Sequence, residues 1–298
     1  METAEFYKEE IRCGWRVDEK TKRIWAVQLE MLDEVERICK KYGLKYFADS
    51  GTLIGAVRHQ GYIPWDDDID LAMLREDYET FLKVAPGELK EHLVLQTPYR
   101  EKNYLRAHAQ LRNSRTTGCS REDRKAGYNC GIFIDIFQLD AKTEGRVFSR
   151  IWAFSIQTLW TVLYTWYRFD YYENATVFGR ILNRLGAFLS IPMERAVSFY
   201  EAVCRRFNGT NATRVCDTVF IRHLEKNTWK RQWFDEMVYL PFENRRIPAP
   251  AGYDGRLKQE YGDYMKPAKA PTMHGSLFLN PDVSYEEYQK NNWRGAEE

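Results

Sequence analysis

The sequence carries almost no net charge: 44 Lys and Arg residues are balanced by 43 Asp and Glu residues, which gives a formal net charge of +1. This balance argues against a strongly basic nucleic-acid-binding protein. With 44% hydrophobic and 29% charged residues, the composition is that of soluble globular domains, which excludes an acidic disordered chain and a multi-span membrane protein. Internal repeats and low-complexity runs are also absent. A length of 298 residues suits one large domain or two ordinary ones.

Patterns that bind zinc or form disulfide scaffolds are scarce as well. The five histidines include no H-E-x-x-H spacing, and the six cysteines include no C-x-x-C pair. The N-terminal segment METAEFYKEE is polar and lacks the apolar stretch of a secretory signal. We therefore expect reduced, mostly buried thiols in a cytoplasmic protein.

Aromatic residues are abundant, at 15% of the chain. Their densest group falls largely in residues 151–169, which contain a single charged residue, Arg168. This segment approaches the length of a membrane span, but Ser, Thr and Gln dilute its apolar character. Two interpretations remain open: a buried helix, which we favour, or an interfacial helix that docks the protein on the inner face of a membrane through Trp160 and Trp166.

Hydrophobic periodicity predicts a mixed α+β chain. Helices are expected at residues 21–42, 53–58, 76–84 and 254–261, and over most of 144–207 with breaks near Asn174 and Pro192. Strands are expected at 44–48, 68–74, 93–97, 104–112 and 131–139, with a strand or hairpin at 238–248, a loop between 113 and 130, and an irregular tail after 267. We therefore predict a mixed-sheet core with flanking helices (21–142), a helical block (143–235) and a C-terminal segment that packs on the core (236–298).

An acidic cluster, Asp66, Asp67, Asp68 and Asp70, is the most informative feature of the chain. Side chains alternate between faces along a strand, so Asp68 and Asp70 should share one face while apolar neighbours fill the other. Two carboxylates held this close repel unless a cation lies between them. Their oxygens suit Mg²⁺ or Mn²⁺. Asp66 and Asp67 are expected to bind metal, to cap the turn, or to order the loop.

Two other features extend this cluster. Asp135 is the lone polar residue in the apolar strand 131–137, so it needs either a structural partner or a metal ion. Upstream, Gly51 and Thr52 open a predicted helix after a strand, where exposed amides form an anion site. A phosphate site beside three acids predicts phosphoryl or nucleotidyl transfer.

Residues 51–70, GTLIGAVRHQGYIPWDDDID, closely resemble a motif of the LicD family, which includes fukutin-type proteins. The segments 134–140 and 261–265 agree, so the resemblance spans about residues 24–274. It implies a nucleotidyltransferase-type fold and a metal-dependent phosphotransferase. Such enzymes move phosphocholine or an alditol phosphate from a CDP-activated donor, CDP-choline or a CDP-alditol, to a sugar hydroxyl. The acceptor is a cell-surface glycan such as teichoic acid or lipopolysaccharide, and a lipid-linked acceptor would favour peripheral membrane contact.

The resemblance also implies residue roles. Asp68 and Asp70 match the paired metal ligands, and Asp135 matches the third acid. Gly51 and Thr52 match the phosphate turn, and Arg58 and His59 are expected near the diphosphate. Many members have a lysine where this chain has Gln110, so Arg106 or Arg112 is expected to supply positive charge. Tyr261, Asp263 and His274 are expected near the substrates, although Tyr261, Asp263 and also Glu243 fit simple packing of the C-terminal segment equally well.

In the expected reaction, an acceptor hydroxyl attacks the distal phosphorus of the donor and CMP leaves. Two alternatives remain. One is a nucleotidyltransferase that releases pyrophosphate and modifies a protein, an RNA or a small molecule, although the near-neutral charge argues against RNA. The other is a non-catalytic glycan-binding relic, which the presence of all three acids disfavours.

Overall fold

The computed structural model describes residues 2–120, 123, 126–168, 177, 179–181, 184–185, 190–267 and 277–293. The strands are β1 (Glu10–Arg12), β2 (Trp15–Val17), β3 (Phe47–Ala48), β4 (Asp70–Leu74), β5 (Leu93–Gln96), β6 (Ala109–Asn113), β7 (Thr117–Cys119), β8 (Ile132–Lys142), β9 (Arg214–Asp217), β10 (Thr228–Lys230), β11 (Met237–Phe242), β12 (Arg245–Pro250) and β13 (Phe278–Asn280). The helices used below are α1 (Glu19–Tyr42), α2 (Ser50–Arg58), α3 (Arg75–Val84), α4 (Arg146–Arg168), α5 (Met193–Cys204), α6 (Tyr253–Tyr261) and α7 (Tyr285–Trp293). The predicted mixed sheet with flanking helices is confirmed.

The central sheet is built around β8. It has seven strands, of which β4 runs parallel to β8 while β6 and β9 run antiparallel to it. Asp135 is aligned with residues of both β4 and β6, and Leu139 is aligned with residues of both β4 and β9. A strand has only two edges, so β4 occupies one edge of β8, and β6 and β9 follow one another along the other.

Helix α1 covers one face of this sheet. Asp18 caps its N-terminus by accepting a 2.8 Å hydrogen bond from the Thr21 amide, and Gly43 ends it in the left-handed region at φ 67°. Its apolar stripe joins the core cluster that contains Leu71, Ile134 and other inward residues of β4 and β8. The alternate residues of those strands, including Asp70 and Asp135, therefore point to the opposite face.

Helices α4 and α5 form a second, smaller core beside β9. Trp152, Ile156 and Leu163 of α4 cluster with Tyr200 of α5 and with Cys216. This packing favours the buried-helix interpretation of 151–169 for the inner side of α4. No helix in the described part of the chain has both the length and the hydropathy of a membrane span.

Several predicted boundaries are wrong, mainly where strands are too short to show periodicity. Strand β4 begins at Asp70 rather than 68, and β6 begins at Ala109 rather than 104. Strands β9 and β10 lie in the predicted helical block 143–235, beyond its predicted helices, and join the main sheet. Strand β7 lies in the expected loop, where it pairs with β13 of the expected irregular tail. Such strands depend on partners distant in sequence, which local patterns do not reveal. The expected break at Asn174 lies outside the described residues.

The expectation that all cysteines are reduced is also wrong for one pair. Cys119 and Cys130 form a disulfide with a Cα–Cα distance of 5.1 Å. The chain reverses between β7 and β8, and the Gly118 amide donates to the Cys130 carbonyl at 2.7 Å, which brings the two residues together. The free thiols are exposed at Cys13 and buried elsewhere, at Cys39, Cys204 and Cys216.

Candidate active site

The structure brings Asp68, Asp70 and Asp135 together. Asp70 opens β4 and is aligned with Asp135 on the parallel strand β8, while Asp68 lies just before β4. The Asp135 amide donates to the Ile69 carbonyl at 2.9 Å, which fixes the segment of Asp68 against β8. One carboxylate oxygen from each acid lies within 4.8 Å of the others. Asp135 thus meets Asp70 through parallel strand pairing, whereas Asp68 lies just before the strand on which the sequence analysis placed it.

The electrostatics of this cluster reflect three acidic side chains held close together. Burial, followed by the charges of Asp68 and Asp135, raises the pKa of Asp70 well above its ordinary value, although part of the side chain remains exposed. Asp66, Asp67 and Asp68 form a second group, in which one carboxylate oxygen of each residue also lies within 4.8 Å of the others. Carboxylate oxygens at this spacing suit Mg²⁺ or Mn²⁺, so the donor set fits a divalent cation.

Asp135 is held by side chains from β6 and from the segment before it. Gln110 Nε2 donates to Asp135 Oδ1 at 2.7 Å, and His108 Nε2 lies 3.1 Å from the same oxygen. Arg112 Nη2 in turn donates to Gln110 Oε1 at 2.7 Å. No pattern in the sequence predicted this support, because Gln110 becomes the register partner of Asp135 only when β6 pairs with β8.

This geometry contradicts the predicted contact between Arg112 and the CDP-linked substrate. Its side chain is 0% exposed, and Nη1 donates to the carbonyls of Gly118 and Gly131 at 3.1 and 2.8 Å. A guanidinium buried in this way is out of reach of a CDP-linked substrate. Arg112 positions Gln110 instead. Arg106, the other predicted cation, is paired with Asp123 at 3.0 Å.

The N-terminus of α2 lies against the acids, as the order of motifs suggested. A Cβ atom at Gly51 would overlap the carboxylate of Asp66, so glycine permits this close approach. Thr52 Oγ1 accepts a 2.9 Å hydrogen bond from the Asp70 amide. The helix is capped by Asp49, whose carboxylate accepts from the Ser50 amide at 2.6 Å. The phosphate-binding role of this turn remains a prediction.

Arg58 and His59 lie at the other end of α2. Arg58 Nη1 donates to the Tyr264 carbonyl at 2.6 Å, so its guanidinium is engaged by the C-terminal segment rather than directed at the phosphate turn. Burial, followed by the charges of Arg58 and Arg12, lowers the pKa of His59 to about 4. His59 is therefore neutral at pH 7, and its ring meets the edge of Trp65 at 6.2 Å. Their expected contact with a diphosphate is not supported by this placement.

The residues of the C-terminal segment that were predicted to lie near the substrates have different environments. The Tyr261 hydroxyl lies against Ser50 at the start of α2, and its ring is partly exposed, so Tyr261 remains a candidate for substrate contact. Asp263 is exposed and belongs to neither acid group. Glu243 is structural, because it pairs with Arg12 at 2.6 Å and accepts from the Tyr62 amide at 3.0 Å. His274 lies outside the described residues.

A buried ion pair lies behind the site, and no pattern in the sequence predicted it. Arg256 of α6 pairs with Asp49, the cap of α2, and stacks over Trp229 at 4.1 Å. Next to this pair, burial followed by the charge of Asp49 raises the pKa of Asp217 to about 8. Arg256 thus joins the C-terminal segment to the N-terminus of α2.

One family model and several known proteins are similar in sequence to this chain. A family model described as LicD/FKTN/FKRP, nucleotidyltransferase domain, matches residues 43–180, which contain the acids and α2. Lipopolysaccharide cholinephosphotransferase LicD of Haemophilus influenzae is 30% identical over 247 residues, covering 80% of this chain and 89% of the relative. An uncharacterised protein of Rickettsia typhi is 42% identical over 73 residues, covering 24% of this chain and 22% of the relative. Human ribitol 5-phosphate transferase FKRP is 49% identical over 35 residues, covering 12% and 7%.

Proposed function

The chain belongs to the LicD family, and on that premise we propose that it is a phosphotransferase acting on a cell-surface glycan. It moves phosphocholine, or an alditol phosphate, from a CDP-activated donor to a sugar hydroxyl. The similarity to a lipopolysaccharide cholinephosphotransferase over 89% of that protein's length supports phosphocholine as the transferred group. The shorter similarity to a ribitol 5-phosphate transferase keeps alditol phosphates within the proposal.

One observation carries this proposal. The carboxylates of Asp68, Asp70 and Asp135 lie within 4.8 Å of one another, directly beside the N-terminus of α2. Phosphoryl transfer requires charge neutralisation and positioning more than covalent chemistry. A group of acids beside a helix N-terminus provides places for both a cation and a phosphate.

Asp68, Asp70 and Asp135 would hold Mg²⁺ or Mn²⁺. When bound, such an ion supplies positive charge against the diphosphate and the departing oxygen of CMP. The acceptor hydroxyl attacks the distal phosphorus, a new P–O bond forms, and the P–O bond to CMP breaks. The hydroxyl proton passes to Asp135, and Gln110 and His108 fix the orientation of its carboxylate.

The test is a transfer assay with the purified chain, Mg²⁺, a glycan acceptor and one of CDP-choline, CDP-ribitol or CDP-glycerol. We expect acceptor-dependent release of CMP from one of these donors. Release of pyrophosphate from a nucleoside triphosphate would favour nucleotidyl transfer instead. If calorimetry detects no Mg²⁺ or Mn²⁺ binding in the presence of nucleotide, the glycan-binding relic becomes the better explanation.

We also propose that the outer side of α4 contacts an anionic membrane surface that carries a lipid-linked acceptor. Ile151 and Phe154 are 58% and 70% exposed, and Arg146 and Arg150 lie on the same helix. This combination of apolar and basic residues suits the boundary of an anionic bilayer. Trp160, one of the two tryptophans predicted to make this contact, packs against Tyr200 at 5.2 Å instead.

A further inference from the structure

A cavity of about 270 Å³ lies between α4, α5 and the segment that follows β9. Trp160 and Gln157 of α4, Tyr200 of α5, and Phe220 and Arg222 line it. None of these residues belongs to the acid cluster. Its volume approaches the lower end of ligand pockets, roughly 300 Å³, which suits one ring system rather than a whole nucleotide-linked donor.

The topology of the sheet places this cavity next to the acids. Strands β6 and β9 share one edge of β8, and Phe137 and Gln138 lie between the residues of β8 that pair with β6 and those that pair with β9. The Phe137 ring lies 5.9 Å from Phe220, a wall of the cavity, and 4.5 Å from His108. His108 contacts Asp135 at 3.1 Å. A short series of contacts therefore joins the cavity wall to the third acid.

The N-terminus of α2 lies on the opposite flank of the acids. Thr52 is bonded to the amide of Asp70 on β4, and β4 occupies the other edge of β8. The acid cluster thus lies between a helix N-terminus on one side and an aromatic cavity on the other. An extended molecule whose phosphates meet the acids can place a second group in the cavity.

The residues that line the cavity indicate which chemical group would fit it. The rings of Trp160, Tyr200 and Phe220 favour a flat, polarisable partner. The amide of Gln157 offers both a donor and an acceptor to the edge of such a ring. Aromatic rings also attract quaternary ammonium groups, but the positive charge of Arg222, which lines the same cavity, would repel choline.

We propose that this cavity binds the nucleobase of the donor, with Phe220 and Trp160 against the ring and Gln157 at its edge. The assignment rests on the proposed function, because it takes a nucleoside diphosphate-linked donor as the substrate. It makes Gln157 a specificity-determining residue of the reaction. The transferred group then lies on the other side of the acids, towards α2.

The test measures binding of CMP to the full chain by calorimetry with Mg²⁺. Gln157→Leu removes the polar contact from an exposed position, and we expect about a tenfold weaker Kd for CMP, the effect of one lost hydrogen bond. Phe220→Leu keeps an apolar wall but removes the stacking ring, with an expected loss of roughly tenfold or more. Thr158→Val, exposed on the same helix but outside the cavity lining, is the control and should bind CMP like the wild type.

A role in recognition also predicts a change in selectivity. The preference for CMP over AMP should fall in Gln157→Leu, and in turnover the donor KM should rise while kcat stays within about twofold of the wild type. An unchanged Kd for CMP in both cavity variants would overturn the assignment, as would binding of choline alone that Phe220→Leu weakens. CMP binding that depends on Gln157, with no transfer from any CDP-linked donor, would overturn the proposed reaction and leave the cavity assignment standing.

Discussion

Asp70 and Asp135 are register partners on the parallel strands β4 and β8, and their carboxylates lie on the face of the sheet opposite α1. The two residues are 65 positions apart in sequence, so their proximity is a property of the fold. Hydrogen bonds along the ladder fix their separation, and no side-chain flexibility beyond rotamer choice remains to relieve their repulsion. A cation bound between them would relieve this repulsion, and the proposed metal site makes specific predictions.

Removal of one acid should abolish transfer without unfolding the protein. In Asp70→Asn we expect CMP release to fall by about 10²–10³-fold, as when one electrostatic stabiliser is lost from an active site. The melting temperature should stay the same or rise, because the substitution removes a charge that Asp68 and Asp135 repel. Asp263→Asn, at an exposed position outside both acid groups, is the matched control. Near-normal transfer by Asp70→Asn in Mg²⁺ would contradict the assignment.

Divalent cations should stabilise the folded protein. A ligand that binds only the folded state at 100 times its Kd adds about 2.7 kcal/mol to the free energy of unfolding, so Mn²⁺ should raise the melting temperature by several degrees. The increase should vanish on addition of EDTA and be smaller in Asp70→Asn. An equal increase in the variant would show that the ion binds elsewhere.

The support of Asp135 by Gln110 can be tested separately from the acids. Gln110→Leu keeps the volume but removes the donor to Asp135 and the acceptor for Arg112. Loss of such an outer contact commonly weakens metal affinity by about 10–100-fold, so the Kd for Mn²⁺ should rise together with the loss of transfer. A purely structural role would lower the melting temperature and leave the Kd for Mn²⁺ of the folded fraction unchanged.

Features that depend on residues close together in sequence were predictable, and contacts between distant residues were not. Helix α1 and the start of α2 were predictable because their periodicity and capping residues are local. Asp68 and Asp70 were recognisable because four acids in five positions need a reason to lie together. The bond from Gln110 to Asp135 depends on how β6 pairs with β8, and the Asp49–Arg256 pair joins residues 207 positions apart. No local pattern carries either contact.

Because of Asp217, the free energy of unfolding should fall as the pH rises. Burial, followed by the charge of Asp49, raises its pKa to about 8 from an unfolded value near 3.8. Because the folded pKa is the higher one, its contribution to the free energy of unfolding is fully present below about pH 4 and is lost as the pH rises through about 8, amounting to a few kcal/mol at most.

Asp217→Asn should therefore flatten the pH dependence of urea denaturation between pH 5 and pH 8. The asparagine oxygen can still accept from the Val219 amide, which bonds to Asp217 at 2.7 Å in the wild type. Relative to the wild type, the variant should have a higher free energy of unfolding at pH 8 than at pH 5. If its profile runs parallel to that of the wild type, Asp217 is not the group that titrates.

Contact between α4 and a membrane should depend on both its apolar and its basic residues. In a vesicle flotation assay we expect the wild type to bind phosphatidylglycerol-containing vesicles, and Ile151→Gln with Phe154→Gln to lose most of this binding, because burial of each exposed side chain contributes roughly 1.5–3 kcal/mol. Ile11→Gln is the control, since Ile11 is 68% exposed but lies in the hairpin of β1 and β2. Arg146→Gln with Arg150→Gln should reduce the preference for anionic over zwitterionic vesicles, at about 1 kcal/mol for each charge. Flotation of the apolar double variant at the wild-type level would rule out α4 as the membrane contact and return its exposed face to an unassigned surface.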